Sequence, residues 1–284
     1  MLLDYIAIII YGIIQGFAEV LPISSSGHLA LANTFIPLPQ VNLAITAVLH
    51  AGSLVAIAWW FHYDLRLVWN RFRASIRMIQ NRYRRRGQDT TPLTAYQKMP
   101  YYMGLSLVPT AIIGLLLQDV AENVFANKLW TPVFLFLNGL ILVITAWRSR
   151  SERTMDELDW KDYILIGTMQ GVAVIPGISR LGLTLCTSLW RGLGWYDSLR
   201  LSFLLSIPAI IGGLIIQMPQ VITTSFNGFS IPQLLLGTTL TSVLGLIGIR
   251  LLSNTLLEKK TLFSMGSYCC MLGAFAFLNL ALGL

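Results

Sequence analysis

The sequence predicts an all-α integral membrane protein of about six transmembrane helices plus two re-entrant helical hairpins, arranged as an inverted-topology internal repeat. Three observations carry this expectation. The chain of 284 residues is 55% hydrophobic and only 12% charged, and its mean hydropathy is +0.66. Six apolar stretches are each long enough to cross a membrane, and two further stretches share a motif and break near their middle.

A soluble domain carries about 25% charged residues. Half that value leaves too little charge to cover a water-facing surface, which excludes a disordered chain, a coiled coil and an ordinary soluble enzyme. Lys and Arg number 20 against 13 Asp and Glu, for a formal charge of +7. The three cysteines, Cys186, Cys269 and Cys270, have no framework spacing and read as small apolar residues. Asp4 and Glu19 argue against a signal peptide at the start of the chain.

A hydrocarbon core of about 30 Å takes roughly 20 helical residues. The stretches that meet this length lie at about 41–62, 99–117, 129–147, 199–217, 232–252 and 262–284. Regions 5–36 and 163–192 differ, because Pro and small polar residues interrupt them at 21–28 and 176–182. The pieces after the breaks, about 23–36 and 178–190, are too short to cross at about 1.5 Å per residue. Both regions read as hairpins of two half-helices, whose irregular backbone must be satisfied by protein or a wet cavity.

Charge sets the orientation. With loop 63–98 placed in the cytoplasm and each hairpin returning to its own side, loops 148–162, 191–200 and 253–261 also fall inside. Every Lys and Arg then lies inside except Lys128 and Arg180, and loop 218–231 outside has no charge. Both termini lie outside, and the first hairpin enters from outside and the second from inside. The basic stretch from Arg66 to Arg86 carries Trp69, Phe72, Ile76, Ile79 and Tyr83 at helical spacing. A helix lying on anionic membrane lipid accounts for it, and nucleic acid does not.

Displaced by 155 residues, the chain matches itself. Gly12, Gln15, Gly16, Ala18, Ile23, Ser24 and Gly27 meet Gly167, Gln170, Gly171, Ala173, Ile178, Ser179 and Gly182. Each half, about 1–147 and 163–284 of one membrane domain, holds one hairpin and three spans. Three is odd, so the halves are inverted, as in transporters with a midplane site between broken helices. The glycine pairs Gly12/Gly16 and Gly167/Gly171 read as close helix packing.

Ionisable residues at membrane depth cost roughly 2.5–3.5 kcal/mol on insertion scales, so Glu19 and Arg180 are site candidates. Ser24, Ser25, Ser26 and Gly27 open one half-helix, and Ser179, Arg180 and Gly182 open the other. Two helix starts present free N–H groups and positive dipole ends to an anion, and Arg180 can grip two phosphate oxygens. Glu19 beside a phosphate calls for a bridging divalent cation, Mg²⁺ or Ca²⁺. Ser25 or a neighbouring serine can serve as nucleophile, with His28 one turn on as its base. His50 reads as a polar packing residue, His62 as part of an interfacial aromatic belt, and Asp119 and Glu122 as solvated loop residues.

The stretches Gln15-Gly16-Phe17-Ala18-Glu19-Val20-Leu21-Pro22-Ile23-Ser24-Ser25-Ser26-Gly27-His28 and Pro176-Gly177-Ile178-Ser179-Arg180-Leu181-Gly182-Leu183-Thr184 resemble the two signature motifs of the undecaprenyl-diphosphate phosphatase family of the bacitracin-resistance type. The resemblance extends over the whole chain, including the run at 202–208. It implies a bacterial plasma-membrane enzyme that removes the terminal phosphate of a C55 polyprenyl diphosphate at the outer face, using a divalent metal. It places Glu19 on the family's second acidic residue, Ser25 on its nucleophilic serine, His28 on the motif histidine, Ser179 and Arg180 on the phosphate-binding pair and Thr184 on the motif threonine. Two positions depart from the pattern. Gln15 stands at the first acidic position, leaving Glu19 as the carboxylate metal ligand with Gln15 as its companion. Leu181 stands at the second serine, so phosphate contact rests on Ser179, Arg180 and backbone N–H. A polyprenyl-phosphate flippase using the same anion site is the alternative, and a lipid phosphotransferase is a further one. A homodimer is left open.

Overall fold

The computed structural model describes residues 2–84, 93–148, 153–223, 226, 228–255 and 259–283. Arg85 and Arg86 of the basic stretch, the Tyr83 side chain and parts of the loops at 148–162, 218–231 and 253–261 lie outside the described residues. The fold is all-helical. α1 runs Leu2–Val20, α2 Ser25–Phe35, α3 Leu43–Trp60, α4 His62–Arg84, α5 Ala95–Leu116, α6 Gln118–Ala126 and α7 Trp130–Arg148. After a single 3-10 turn at Met155–Glu157 come α8 Trp160–Val172, α9 Arg180–Trp190, α10 Trp195–Thr223, α11 Ile231–Thr255 and α12 Lys259–Leu282.

Six helices are long and apolar enough to cross a membrane: α1, α5, α7, α10, α11 and α12. The protein is therefore a multi-pass membrane protein. α1 is a correction to the expected half-helix. Its apolar face begins at Leu2, so it reaches 19 residues, about 28 Å at 1.5 Å per residue, and only its partner α2 is short. α3 is apolar and ends at Trp60, where the chain bends by 72° into α4. α4 begins directly after the bend and leaves Trp69, Arg73 and Arg77 exposed.

Both breaks are present. Pro22 lacks an amide hydrogen and cannot continue α1. α2 restarts after Ser24, whose hydroxyl accepts from Gly27 N–H at 3.2 Å. The second break falls at Pro176-Gly177, with Gly177 at φ +99°. A Cβ there would stand 2.7 Å from the Thr131 carbonyl of α7, so both its conformation and its neighbour require glycine. α9 restarts after Ser179, whose hydroxyl accepts from Gly182 N–H at 3.0 Å. α2 and α9 have 11 residues each.

The glycine pairs do pack helices, but across the halves. Gly12 and Gly16 of α1 face Gly237, Thr241 and Leu244 of α11, while Gly167 and Gly171 of α8 face Ser106, Thr110 and Ile113 of α5. Each contact carries the same hydrogen bond. Thr241 Oγ1 donates to the Gly12 carbonyl at 3.2 Å, and Thr110 Oγ1 donates to the Gly167 carbonyl at 2.8 Å. A central apolar cluster includes Val20, Ile57, Leu142, Leu181, Phe203 and Ile249.

Gly167→Ala tests this packing. A Cβ at 167 would collide with the Ser106 carbonyl oxygen and lie 2.7 Å from its carbon, and backbone atoms cannot rotate aside. Alanine normally gains about 0.5–1 kcal/mol over glycine inside a helix, but overpacking costs typically 1–3 kcal/mol or more. The expected net result is a lower melting temperature in detergent. Gly104→Ala on α5, with nothing within 4 Å of its Cβ, is expected to leave melting unchanged or raise it. Equal melting of the two variants would refute the close approach.

Several basic residues that set the orientation are also structural. Asp162, fully buried in α8, takes Arg153 at 2.8 Å and also pairs with Arg191. Arg191 follows α9 directly, so this cluster ties the two ends of the second broken segment together. Arg71 of α4 pairs with Asp156 at 2.7 Å, and Arg200 of α10 pairs with Asp64.

Candidate functional site

Glu19 lies in the last turn of α1, and its Oε2 is the centre of the polar cluster. Ser25, the first residue of α2, donates its hydroxyl to that oxygen at 2.5 Å. Gln15, one turn earlier on α1, donates Nε2 to it at 3.1 Å and also reaches Ser53 Oγ of α3 at 3.4 Å. His50 of α3 brings Nε2 to 3.3 Å from the same oxygen, and its Nδ1 donates to the Thr46 carbonyl at 2.8 Å.

The second tip contributes Arg180, the first residue of α9. Its Nη1 lies 3.9 Å from Glu19 Oε1. That nitrogen is buried and has no hydrogen-bond partner. A buried guanidinium N–H left unpaired is unusual, because burial without a partner is costly. It marks a place for an acceptor that the protein itself does not supply. Side-chain caps occupy the Gly27 and Gly182 amides, while the first two amides of each helix, at 25–26 and 180–181, have no partner within their helix. Ser26 Oγ lies 3.4 Å from Ser24 Oγ at the same tip. The arrangement combines a carboxylate on a serine, a free cationic donor and two helix N-termini, which is the equipment for binding an anion and activating a hydroxyl.

The tips touch directly. A Cβ on Gly27 would stand 3.0 Å from Gly177 Cα, and one on Gly182 would stand 3.2 Å from the Pro22 carbonyl. Glu19, Ser25 and Arg180 thus come together as expected, and Ser24, Ser26, Gly27, Ser179 and Gly182 build the two tips around them.

Two expected residues are placed elsewhere. His28 does not face Ser25. Its Nδ1 donates to the Ser24 carbonyl at 2.8 Å, and its Nε2 then accepts from Tyr268 Oη of α12 at 2.9 Å. The two rings stack with centroids 5.6 Å apart. His28 therefore pins Ser24, which at φ 71° is the one non-glycine residue with positive φ among the described residues. Such strain is held by its surroundings and gathers at functional sites. Thr184 is fully buried and donates to the Arg180 and Leu181 carbonyls of its own helix at 2.9 and 3.2 Å. It supports the α9 tip and does not reach the cluster. Leu181, at the position of the family's second serine, packs in the central apolar cluster beside Val20 and Leu185.

His50, Ser53, Tyr268 and Asn138 were not anticipated as site residues. The signal for the first two is their spacing, since positions 50 and 53 share one face of an otherwise apolar helix. For Asn138 it is a lone amide in the apolar α7.

Fold and site together define a polytopic membrane protein of the broken-helix class, with a polar cluster where two interrupted segments meet. A family model described as bacitracin resistance protein BacA matches residues 8–275, and the chain belongs to that family. It is 34% identical over 280 residues to the undecaprenyl-diphosphatase of Methanobrevibacter smithii, covering 98% of each chain. It is 33% identical over 276 residues to the undecaprenyl-diphosphatase of Methanosphaera stadtmanae, with 96% of each covered. The protein of the same name from Alkaliphilus metalliredigens is 30% identical over 271 residues, 95% of this chain and 96% of the relative. These relatives carry the name of a phosphatase, and the flippase alternative finds no support in them.

Proposed function

We propose that the protein hydrolyses the terminal phosphate of undecaprenyl diphosphate, leaving the monophosphate and so returning the lipid carrier to cell-wall polymer synthesis. The observation that carries this reading is one juxtaposition: Ser25 Oγ donates to Glu19 Oε2 at 2.5 Å, while the unpartnered Arg180 Nη1 lies 3.9 Å from Glu19 Oε1. Arg180 and the helix amides at 25–26 and 180–181 hold the diphosphate. Ser25 passes its proton to Glu19 as its oxygen bonds to the terminal phosphorus. The bond from that phosphorus to the bridging oxygen breaks, and the lipid monophosphate leaves carrying the proton that Glu19 took, which returns Glu19 to its carboxylate form. Water then attacks the phosphoserine with Glu19 as its base, phosphate departs, and the Ser25 oxygen regains a proton.

A divalent cation, Mg²⁺ or Ca²⁺, fits the donor set in a limited way. Among the described residues there is no cluster of three His, Cys, Asp or Glu, which argues against an all-protein cage. Gln15 Oε1, however, is buried without a partner next to Glu19, and Mg²⁺ is commonly held by one or two carboxylates plus substrate phosphates. Glu19 and Gln15 would hold the ion, which when bound neutralises phosphate charge. The excess of Lys and Arg on loops 63–98, 148–162, 191–200 and 253–261 supports a site opening to the outer face of the plasma membrane. The named groups all come from one chain, so no second subunit is needed to complete the site.

Phosphate release from undecaprenyl diphosphate by detergent-purified protein tests the reading. Ser25→Ala is expected to lower kcat by at least about 10³-fold, since removing a nucleophilic serine can cost up to about 10⁶-fold. EDTA is expected to abolish turnover, and Mg²⁺ or Ca²⁺ to restore it. Normal turnover in Ser25→Ala would reject Ser25 as the attacking group.

A further inference from the structure

We propose that Asn138 is a positioning residue for the dephosphorylation, its side-chain amide setting the distance between the two broken tips and hence between Ser25 and Arg180. The inference rests on the function proposed above and concerns a residue outside both motifs.

Asn138 lies in the middle of α7 and is 2% exposed. Burying an amide in an apolar helix interface is costly unless both ends are bonded. Here both are bonded, each to a different tip. Nδ2 donates to the Pro22 carbonyl at 3.0 Å, and Oδ1 accepts from Ser179 N–H at 2.9 Å. Pro22 stands midway between Glu19 and Ser25, and Ser179 directly precedes Arg180. Among the described residues, Asn138 is the one side chain outside the tips whose hydrogen bonds reach both of them. The direct tip contacts at Gly27 and Gly182 are van der Waals contacts, which limit approach but do not prevent separation.

α7 can act as a fixed reference. A Cβ on Gly139 would stand 2.5 Å from the Gly266 carbonyl of α12, and one on Gly273 would stand 2.7 Å from the Pro132 carbonyl. These two helices therefore meet backbone to backbone on either side of Asn138. The spacing that Asn138 sets leaves Arg180 and Glu19 at 3.9 Å, too far for a direct hydrogen bond, so the Arg180 N–H stays available to a phosphate oxygen.

Loss of the link should act on orientation in the transition state more than on binding, since misplacement of about 1 Å can cost 10²-fold in rate. Asn138→Leu keeps the branching and the number of side-chain heavy atoms and removes both hydrogen bonds. Its kcat per folded molecule is expected to fall about 30- to 100-fold with KM changed less than about threefold, on the same basis. Asn138→Thr can serve one tip but not both, and a fall of about tenfold is expected. Amide hydrogen exchange over 176–182 should quicken in both variants, while the interior of α9 stays protected.

A merely structural role would lower the melting temperature or the yield and leave kcat per folded molecule unchanged, and that result would overturn the proposal. If the leucine variant does not fold, the threonine variant decides alone, and unchanged kcat in it has the same force. Ser25→Ala assayed alongside separates the two levels. An inactive Ser25→Ala beside fully active Asn138 variants removes the role of Asn138 and leaves the function standing. Normal turnover in Ser25→Ala removes the catalytic reading itself.

Discussion

Arg180→Ala is expected to lower kcat/KM for phosphate release about 10³-fold, and Arg180→Lys to recover only a small part of that. Removing one preorganised donor from a developing anion typically costs 10²–10³-fold. Arg180 supplies a full charge as well, so the upper end is expected. The lysine arm follows from geometry. Arg180 side-chain exposure is 27%, its Nη1 is buried without a partner, and the planar fork can present two N–H groups to two phosphate oxygens. A lysine offers a compact point charge on a shorter reach and would be drawn to Glu19. Initial rates at saturating and limiting lipid separate the two arms. A lysine variant within threefold of the parent would show that charge alone suffices and would remove the bidentate grip.

Glu19→Gln is expected to lower kcat about 10³–10⁴-fold, at the upper end of what a positioned proton acceptor contributes. The substitution keeps an oxygen that can accept from Ser25, so the hydrogen bond survives and proton transfer does not. Removing a negative charge beside an anionic diphosphate should leave KM unchanged or lower it. The variant should fold, because His50 and Arg180, at 17% and 27% side-chain exposure, retain access to water. Raising Mg²⁺ distinguishes the two duties assigned to this carboxylate. Activity that stays low at high Mg²⁺ supports Glu19 as the proton acceptor, and activity that returns would reassign it to holding the cation alone.

The parts of the site that sequence reading located are those whose signals are local. Pro22, Pro176 and Gly177 break helices by their own covalent nature, and Ser24 and Ser179 cap the restarts with hydroxyls three residues before Gly27 and Gly182. The meeting of Glu19 with Arg180 was legible because polar groups at membrane depth need partners and the two motifs repeat. His50 and Asn138 were not legible as site residues. Each sits in an intact, mainly apolar helix outside both motifs, where a polar residue looks the same whether it serves packing or chemistry. His28 was misplaced for a related reason. Its spacing of three from Ser25 puts both on one turn, but the ring folds back to the Ser24 carbonyl and outward to Tyr268. The length of α1 was underestimated because Asp4 and Glu19 bracket its apolar core.

The reciprocal docking of α1 on α11 and of α8 on α5 bears on how the molecule is made. α1 leaves the ribosome long before residues 231–255 have been translated, so it enters the bilayer with its docking surface bare and must wait for most of the polypeptide. Neither half, synthesised on its own, owns the surface that its interrupted segment leans on. Splitting the gene near residue 150 would yield two fragments that mature only when produced together in one membrane.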